Sequence, residues 1–231
     1  MSWIEDAKYR AVLKALEPIK AGWIIGLGSG STMTYAVKEL SRLRRARRIE
    51  VAVVPTSYQI ENLAIAHGLL IKSINEVGTI DYAIDGADQV QEGPLNVIKG
   101  GGGAMLREKI IDSAAQTLAI VVHATKLSKY LGGKQTVPVE VLPVAYKYVQ
   151  SRITTLGGRA TLRESENKVG PVITDNGNFL LDADFGQIQN PALLERHLKA
   201  IPGLLETGLF LNMVDTVYVG LNNGVKRLSA K

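Results

Sequence analysis

Between positions 85 and 109 the chain reads DGADQVQEGPLNVIKGGGGAMLREK, which sets Asp85, Asp88, Lys99, four glycines and Glu108 within one short segment. A carboxylate held against a helix start and apolar walls can take a proton from the carbon next to a carbonyl. Glu108 is the candidate for that base. Lys99 would neutralise the developing enediolate oxygen, and Asp85 or Asp88 would carry protons between neighbouring hydroxyls. The glycines at 100–103 would each cost about 0.5–1 kcal/mol relative to alanine inside a helix or strand. They therefore predict a loop that turns back between Lys99 and Glu108. The backbone at Gly100, Gly101 and Gly102, with Gly86 and Ala87 in the aspartate motif, would approach a ligand closely before residues 104–109 open a helix. The ordinary reading is a solvated helix face at Arg107-Glu108-Lys109, turn or cap roles for Asp85 and Asp88, and a flexible linker. An apolar strand around Leu95, Val97 and Ile98 before the glycines, and an amphipathic helix after them, argue against a linker.

A second glycine-rich turn, Gly26-Leu27-Gly28-Ser29-Gly30-Ser31-Thr32, follows the apolar run WIIGL and precedes the helix-like MTYAVKELSRL. Strand, glycine turn and helix in this order cradle phosphate: the turn curves tightly, hydroxyls donate, and the helix N-terminus carries partial positive charge. Ser29, Gly30, Ser31 and Thr32 are the candidate contacts, Ser31 or Thr32 serving equally as an N-cap. The dinucleotide fingerprint would need glycine at Ser31, and a Walker loop would need a lysine that this turn lacks, so a small phosphate ester fits better.

Composition bounds the rest. The 231 residues suffice for one large domain or two small ones, and 46% hydrophobic against 21% charged residues is the balance of a soluble globular chain. There is no cysteine, which excludes disulfides, thiolate metal sites and cysteine nucleophiles and makes the cytoplasm the default compartment. Three histidines, none spaced with a carboxylate as a ligand pair, argue against a metal centre; His123 reads as a strand-end residue. No signal peptide or membrane span is expected. The net charge of +5 suggests anionic ligands. The dense run Arg42, Arg44, Arg45, Arg47 and Arg48 lies at a predicted helix end without interleaved aromatics, so a solvated face is favoured over nucleic-acid binding.

Strands and helices alternate with short connections through about residue 123, predicting an α/β fold. Its ligands would gather beyond the carboxyl ends of the strands, where both glycine turns and the aspartate pair fall. From Gly132 the character changes. Residues 136–143 carry two prolines and suit an edge strand or crossover. Strands near 159–162, 172–174 and 179–183, an Asn176-Gly177 turn, and helices near 145–156 and 191–199 describe a small antiparallel α+β unit. Residues 204–210 and 216–220 are expected to return to the first unit. The domains read as 1–131 plus about 204–231, and about 132–203.

The ordered set Gly26–Thr32, Asp85-Gly86-Ala87-Asp88, Lys99 through Ala104 with Arg107-Glu108-Lys109, Pro138-Val139-Glu140-Val141, Thr174-Asp175-Asn176-Gly177-Asn178 and Gly208-Leu209-Phe210 resembles the A-type ribose-5-phosphate isomerases over nearly the whole chain. The resemblance implies metal-free and cofactor-free interconversion of ribose 5-phosphate and ribulose 5-phosphate through an enediolate. It implies a Rossmann-like, mainly parallel sheet domain with a second, smaller α+β domain, assembled as a homodimer or homotetramer. By that likeness Glu108 moves hydrogen between C2 and C1, and Asp85, Asp88 and Lys99 meet the hydroxyls and the oxyanion. Residues 29–32 hold the phosphate, with Lys126 and Lys8 as further basic contacts. The chain departs from the family pattern at Gln89, where glutamate is common, and at His123-Ala124-Thr125 before Lys126. A sugar-phosphate sensor without catalysis is the alternative, as is a ketose-phosphate deaminase; a sensor would not need Glu108 and Lys99, and this chain carries no DNA-reading module.

Overall fold

The computed structural model of the chain describes residues 2–47, 49–165 and 169–230. In chain order the elements are α1 (Trp3–Leu16), β1 (Ile24–Leu27), α2 (Ser31–Arg47), β2 (Ala52–Pro55), α3 (Tyr58–Ala66), β3 (Leu70–Ile71), α4 (Ile74–Val77) and β4 (Tyr82–Gly86). There follow β5 (Gln89–Gln91), β6 (Val97–Ile98), α5 (Met105–Ser113), β7 (Leu118–His123), β8 (Leu127–Ser128), β9 (Leu131–Gly132), β10 (Val137–Val141) and α6 (Tyr146–Thr155). The chain ends with β11 (Arg159–Leu162), β12 (Phe179–Asp184), β13 (Gln187–Ile188), α7 (Pro191–Lys199), β14 (Leu204–Thr207), β15 (Leu209–Phe210), β16 (Thr216–Gly220) and β17 (Val225–Ser229). Of the arginine run, Arg48 lies outside the described residues.

Seven strands make one sheet in the order β17-β16-β7-β4-β1-β2-β3, parallel except for β17 against β16. β7 and β16 are buried at every position, as central strands covered on both faces must be. Each fully buried Val, Ile or Leu stabilises by about 1.5–3 kcal/mol, so these runs hold the middle of the sheet. β17 stands at the edge, half exposed, and carries Lys226 and Arg227, charges that discourage further pairing. α1 and α2 pack one face through Ala11, Ala15, Met33 and Val37. From β1 the chain steps to β2 and β3, then returns to add β4, β7 and β16 on the other side. The boundary of β1 and β4 is therefore a topological switch point, with its crevice at the strand C-termini. This is the mainly parallel α/β sheet that the alternating pattern predicts, of the Rossmann-like type that the family resemblance implies.

A second sheet runs β11-β12-β10-β14, all antiparallel, and its core of Val139, Val149, Ile153, Leu181 and Leu198 lies under α6 and α7. Here the sequence reading needs three corrections. The proline-bearing segment at 136–143 is an interior strand, β10, and not an edge. Pro138 is tolerated because its carbonyl accepts from Gly208 N (2.7 Å), so its missing donor falls where the ladder with β14 has ended. Residues 172–174 make only one single bridge, Ile173 with Phe179, instead of a strand. Leu204–Thr207 does not return to the large sheet but pairs with β10; the crossing follows at Gly208, and β15 then pairs with β6.

Candidate active site

β5 and β6 form a hairpin in which Gln89 lies opposite Ile98, so Asp88 and Lys99 emerge side by side, with Asp88 N donating to Ile98 O (2.8 Å). Asp85, next to last in β4, stands beside them. Lys99 is 2% exposed, and its ammonium meets Asp85 Oδ2 at 2.8 Å, Glu108 Oε2 at 3.3 Å and the Gly86 carbonyl at 2.6 Å. Phe210, fully buried, lies beneath it with the ring centre 5.4 Å away. Asp85 is also held by Gly86 N (2.6 Å). Gly28 runs so close to this carboxylate that a Cβ would overlap it, which is why the first turn is glycine there.

The glycine loop turns as expected. Gly100 takes φ +104°, a conformation open to glycine. Gly101 N donates to Asp88 Oδ2 (2.7 Å), and the chain enters α5 at Ala104 without a side-chain cap. Glu108 sits in the first turn of α5, 5% exposed.

A cavity of about 320 Å³ spans the switch point. It is lined by Lys8, Ser29, Gly30, Ser31, Thr32, Gly86, Ala87, Asp88, Lys99, Gly100, Gly101, Gly102, Glu108 and Lys126. Every site residue expected from sequence is thus brought together, with Asp85 fully buried behind Lys99. Lys8 reaches Ser31 Oγ (3.2 Å) from α1 and is braced by Glu5 (2.8 Å). Ser29 Oγ bonds Thr56 (2.7 Å) and Ser57 (2.6 Å), which fixes the turn against β2 and α3. A larger open groove of about 790 Å³ between α1 and the end of α2, where Arg42 and Arg45 lie, contains neither glycine turn. Among the described residues no group of three or more His, Asp or Glu side chains is arranged to hold a metal ion.

Burial sets the electrostatics. It pushes the Glu108 carboxyl up to about 8, with the charge of Asp85 adding to the rise and Lys99 opposing it. Burial works against the Lys99 ammonium, but Asp85, Glu108 and Asp112 outweigh it, so Lys99 stays charged. Asp112 was not read from sequence, and the cavity beside His123, read as a strand-end residue, was not anticipated. Asp112, four residues after Glu108 on α5, is buried against Asp85; the i, i+4 spacing of two acids was the available signal. His123, the last residue of β7, lines the cavity, bonds Thr125 (2.8 Å) and abuts Trp3 edge-on; burial and then Lys126 and Lys8 lower its pKa.

Residues 52–224 match the family described as ribose 5-phosphate isomerase A (phosphoriboisomerase A). Over 226 residues the chain is 45% identical to ribose-5-phosphate isomerase A of Pyrococcus horikoshii, covering 97% of this chain and 98% of that one. A solved D-ribose-5-phosphate isomerase in complex with phospho-erythronic acid superposes with a TM-score of 0.95 at 44% identity, over 98% of this chain and 99% of the other. The ribose 5-phosphate isomerase A structure from Methanocaldococcus jannaschii gives 0.94 at 41% identity, over 97% and 99%.

Proposed function

The chain belongs to the ribose 5-phosphate isomerase A family, and we propose from that footing how its own residues carry the reaction. It is an aldose-ketose isomerase interconverting D-ribose 5-phosphate and D-ribulose 5-phosphate through an enediolate. In our reading Glu108 takes the C2 proton of the open-chain aldose. The C2–H electron pair becomes the C1=C2 bond, the carbonyl oxygen takes up negative charge, and Glu108 returns the proton to C1. Lys99 faces that oxygen, and Asp85 and Asp88 meet the sugar hydroxyls and relay their protons. The phosphate rests on Ser29, Gly30, Ser31 and Thr32 at the start of α2, between Lys8 and Lys126. Gly86, Ala87, Gly100, Gly101 and Gly102 complete the wall.

The observation that carries this assignment is the buried contact of Lys99 with both Asp85 and Glu108, at 2.8 and 3.3 Å, on the wall of a cavity whose far side is the phosphate turn. A base displaced to about 8 is matched to proton abstraction near neutral pH. The phosphorylated acid bound in a solved relative supports a sugar phosphate as ligand.

The test is isomerisation of ribose 5-phosphate in the presence of chelator, with Glu108→Gln beside the parent protein. We expect turnover that survives chelation and falls roughly a hundredfold or more in the variant. Equal rates would remove Glu108 as the base; saturable binding without turnover by the parent would favour a sensor.

We further read the chain as two domains, residues 1–131 with about 204–231, and about 132–203, and the pairing of β14 with β10 supports moving the return to Gly208. A cytoplasmic homodimer or homotetramer, with no nucleic acid or membrane among its partners, completes the proposal. Exposed Leu142, Val144 and Tyr148, with Val144 94% accessible, offer apolar surface for self-association. Sedimentation velocity reads this directly, and a purely monomeric boundary would overturn it.

A further inference from the structure

Glu108 and Asp112 leave the same face of α5, turned toward Asp85 and Lys99. The mechanism above gives Asp112 no part. Yet it is 4% exposed, its Oδ2 meets no hydrogen-bond donor, and among the described residues it makes no ion pair. Its nearest acidic neighbour is Asp85, across the packing of α5 on β4. Two carboxyl groups in contact form a bond only when one of them keeps its hydrogen.

Charge counting decides which one. Three buried acids, Asp85 on β4 with Glu108 and Asp112 on α5, share their buried surroundings with one buried cation, Lys99 just past β6. The next charge, Asp88 before β5, is negative too and disfavours ionisation of Glu108. With all three acids ionised the site would hold two uncompensated negative charges away from water, an arrangement proteins avoid by retaining a proton. Asp85 is already served as an anion by Lys99 (2.8 Å) and Gly86 N (2.6 Å). Glu108 must alternate between its two states to carry the substrate proton. Asp112 alone has neither a cation nor a donor.

We propose that Asp112 is a positioning residue that stays protonated through the reaction, donating its carboxyl O–H to Asp85 and so holding Asp85 and the Lys99 ammonium at the developing oxyanion. This rests on the isomerase reading of the same site. One acid orients, one pairs with the lysine, and one carries the proton.

The amide of Asp112→Asn has the shape and the N–H donor of the neutral acid, whereas Asp112→Ala has no donor. We expect kcat of the Asn variant within roughly threefold of the parent with an unmoved pH profile, and a fall of about tenfold or more in the Ala variant with KM little changed. An infrared difference spectrum of parent minus Asn variant at about pH 8 should show the carbonyl stretch of a protonated carboxylic acid. That band is read without turnover, so it stands even if the isomerase reading fails, and it does not depend on the Ala variant folding. Absence of the band, an Asn variant as impaired as Ala, or a pH profile displaced in the Asn variant would each overturn the proposal.

Discussion

As the proposed base, Glu108 accepts a proton only as the carboxylate, so with burial pushing it up to about 8 the expected loss of activity lies on the acid side of that value. We expect kcat/KM to fall roughly tenfold per unit as pH drops below about 8. The substrate phosphate, with a second pKa of about 6, bends the profile only lower down. A profile flat between about pH 6 and 8 would place the titrating base elsewhere. The same displacement acts on stability. The native state keeps a proton that the unfolded chain releases above the ordinary 4.5, so Glu108 makes folding less favourable as pH rises from there to about 8. Asp85, Asp88, Lys99 and Glu108 were legible in the sequence because their types crowd one glycine-rich segment. Asp112 was not, because its i, i+4 spacing from Glu108 suits a solvated helix face equally well, and only the packing of α5 on β4 turns it inward. His123 was read as the strand end it is, but a lone histidine there carries no sign of the cavity beside it.

Elements explain why residues distant in the chain converge. The strand, glycine turn and helix at β1 and α2 could be read directly, since an apolar run, Gly28 and Gly30, and a helical period admit few other structures. The β5 to β6 hairpin that sets Asp88 beside Lys99 could not. Its strands are two or three residues long, too short for a period, and Leu95 takes a positive φ of 56° where the sequence offers no glycine. β10 was misread for a different reason. Proline in a strand signals an edge, yet at Pro138 the ladder ends beside it, which only the position of Gly208 reveals. Local pattern therefore specified the walls of the crevice, while the pairing of short strands specified which side chains meet inside it.

At the scale of the whole molecule, the small sheet braces a site that stands on the large one. Glu140 on β10, fully buried, accepts from Thr174 (2.9 Å), Asn176 (3.0 Å) and Asn178 (2.8 Å), and so shapes the turn that the Asn-Gly pair announced. That turn holds α5 in place: Arg107, one residue before the proposed base, donates to Asn176 (2.7 Å) and to the Asp175 carbonyl (2.8 Å). Arg163, past the end of β11, is clasped by Asp182 and donates to the carbonyls of Gly100 (2.9 Å) and Gly101 (3.1 Å). With those carbonyls drawn outward, the Gly101 N–H is left facing Asp88 (2.7 Å). Truncating the guanidinium in Arg163→Met leaves Asp182 and two carbonyls without their donor, a loss of about 1–3 kcal/mol, and frees the loop that carries Asp88. We expect a Tm lower by a few degrees and kcat lower by roughly tenfold, since small displacements of catalytic groups cost rate steeply. Arg163→Lys should fall between, because one ammonium cannot serve a carboxylate side-on and two carbonyls together. A lower Tm with kcat intact would mean that Asp88 keeps its place without the small sheet. Loss of kcat in step with the loop contacts would make the second sheet part of the catalytic apparatus.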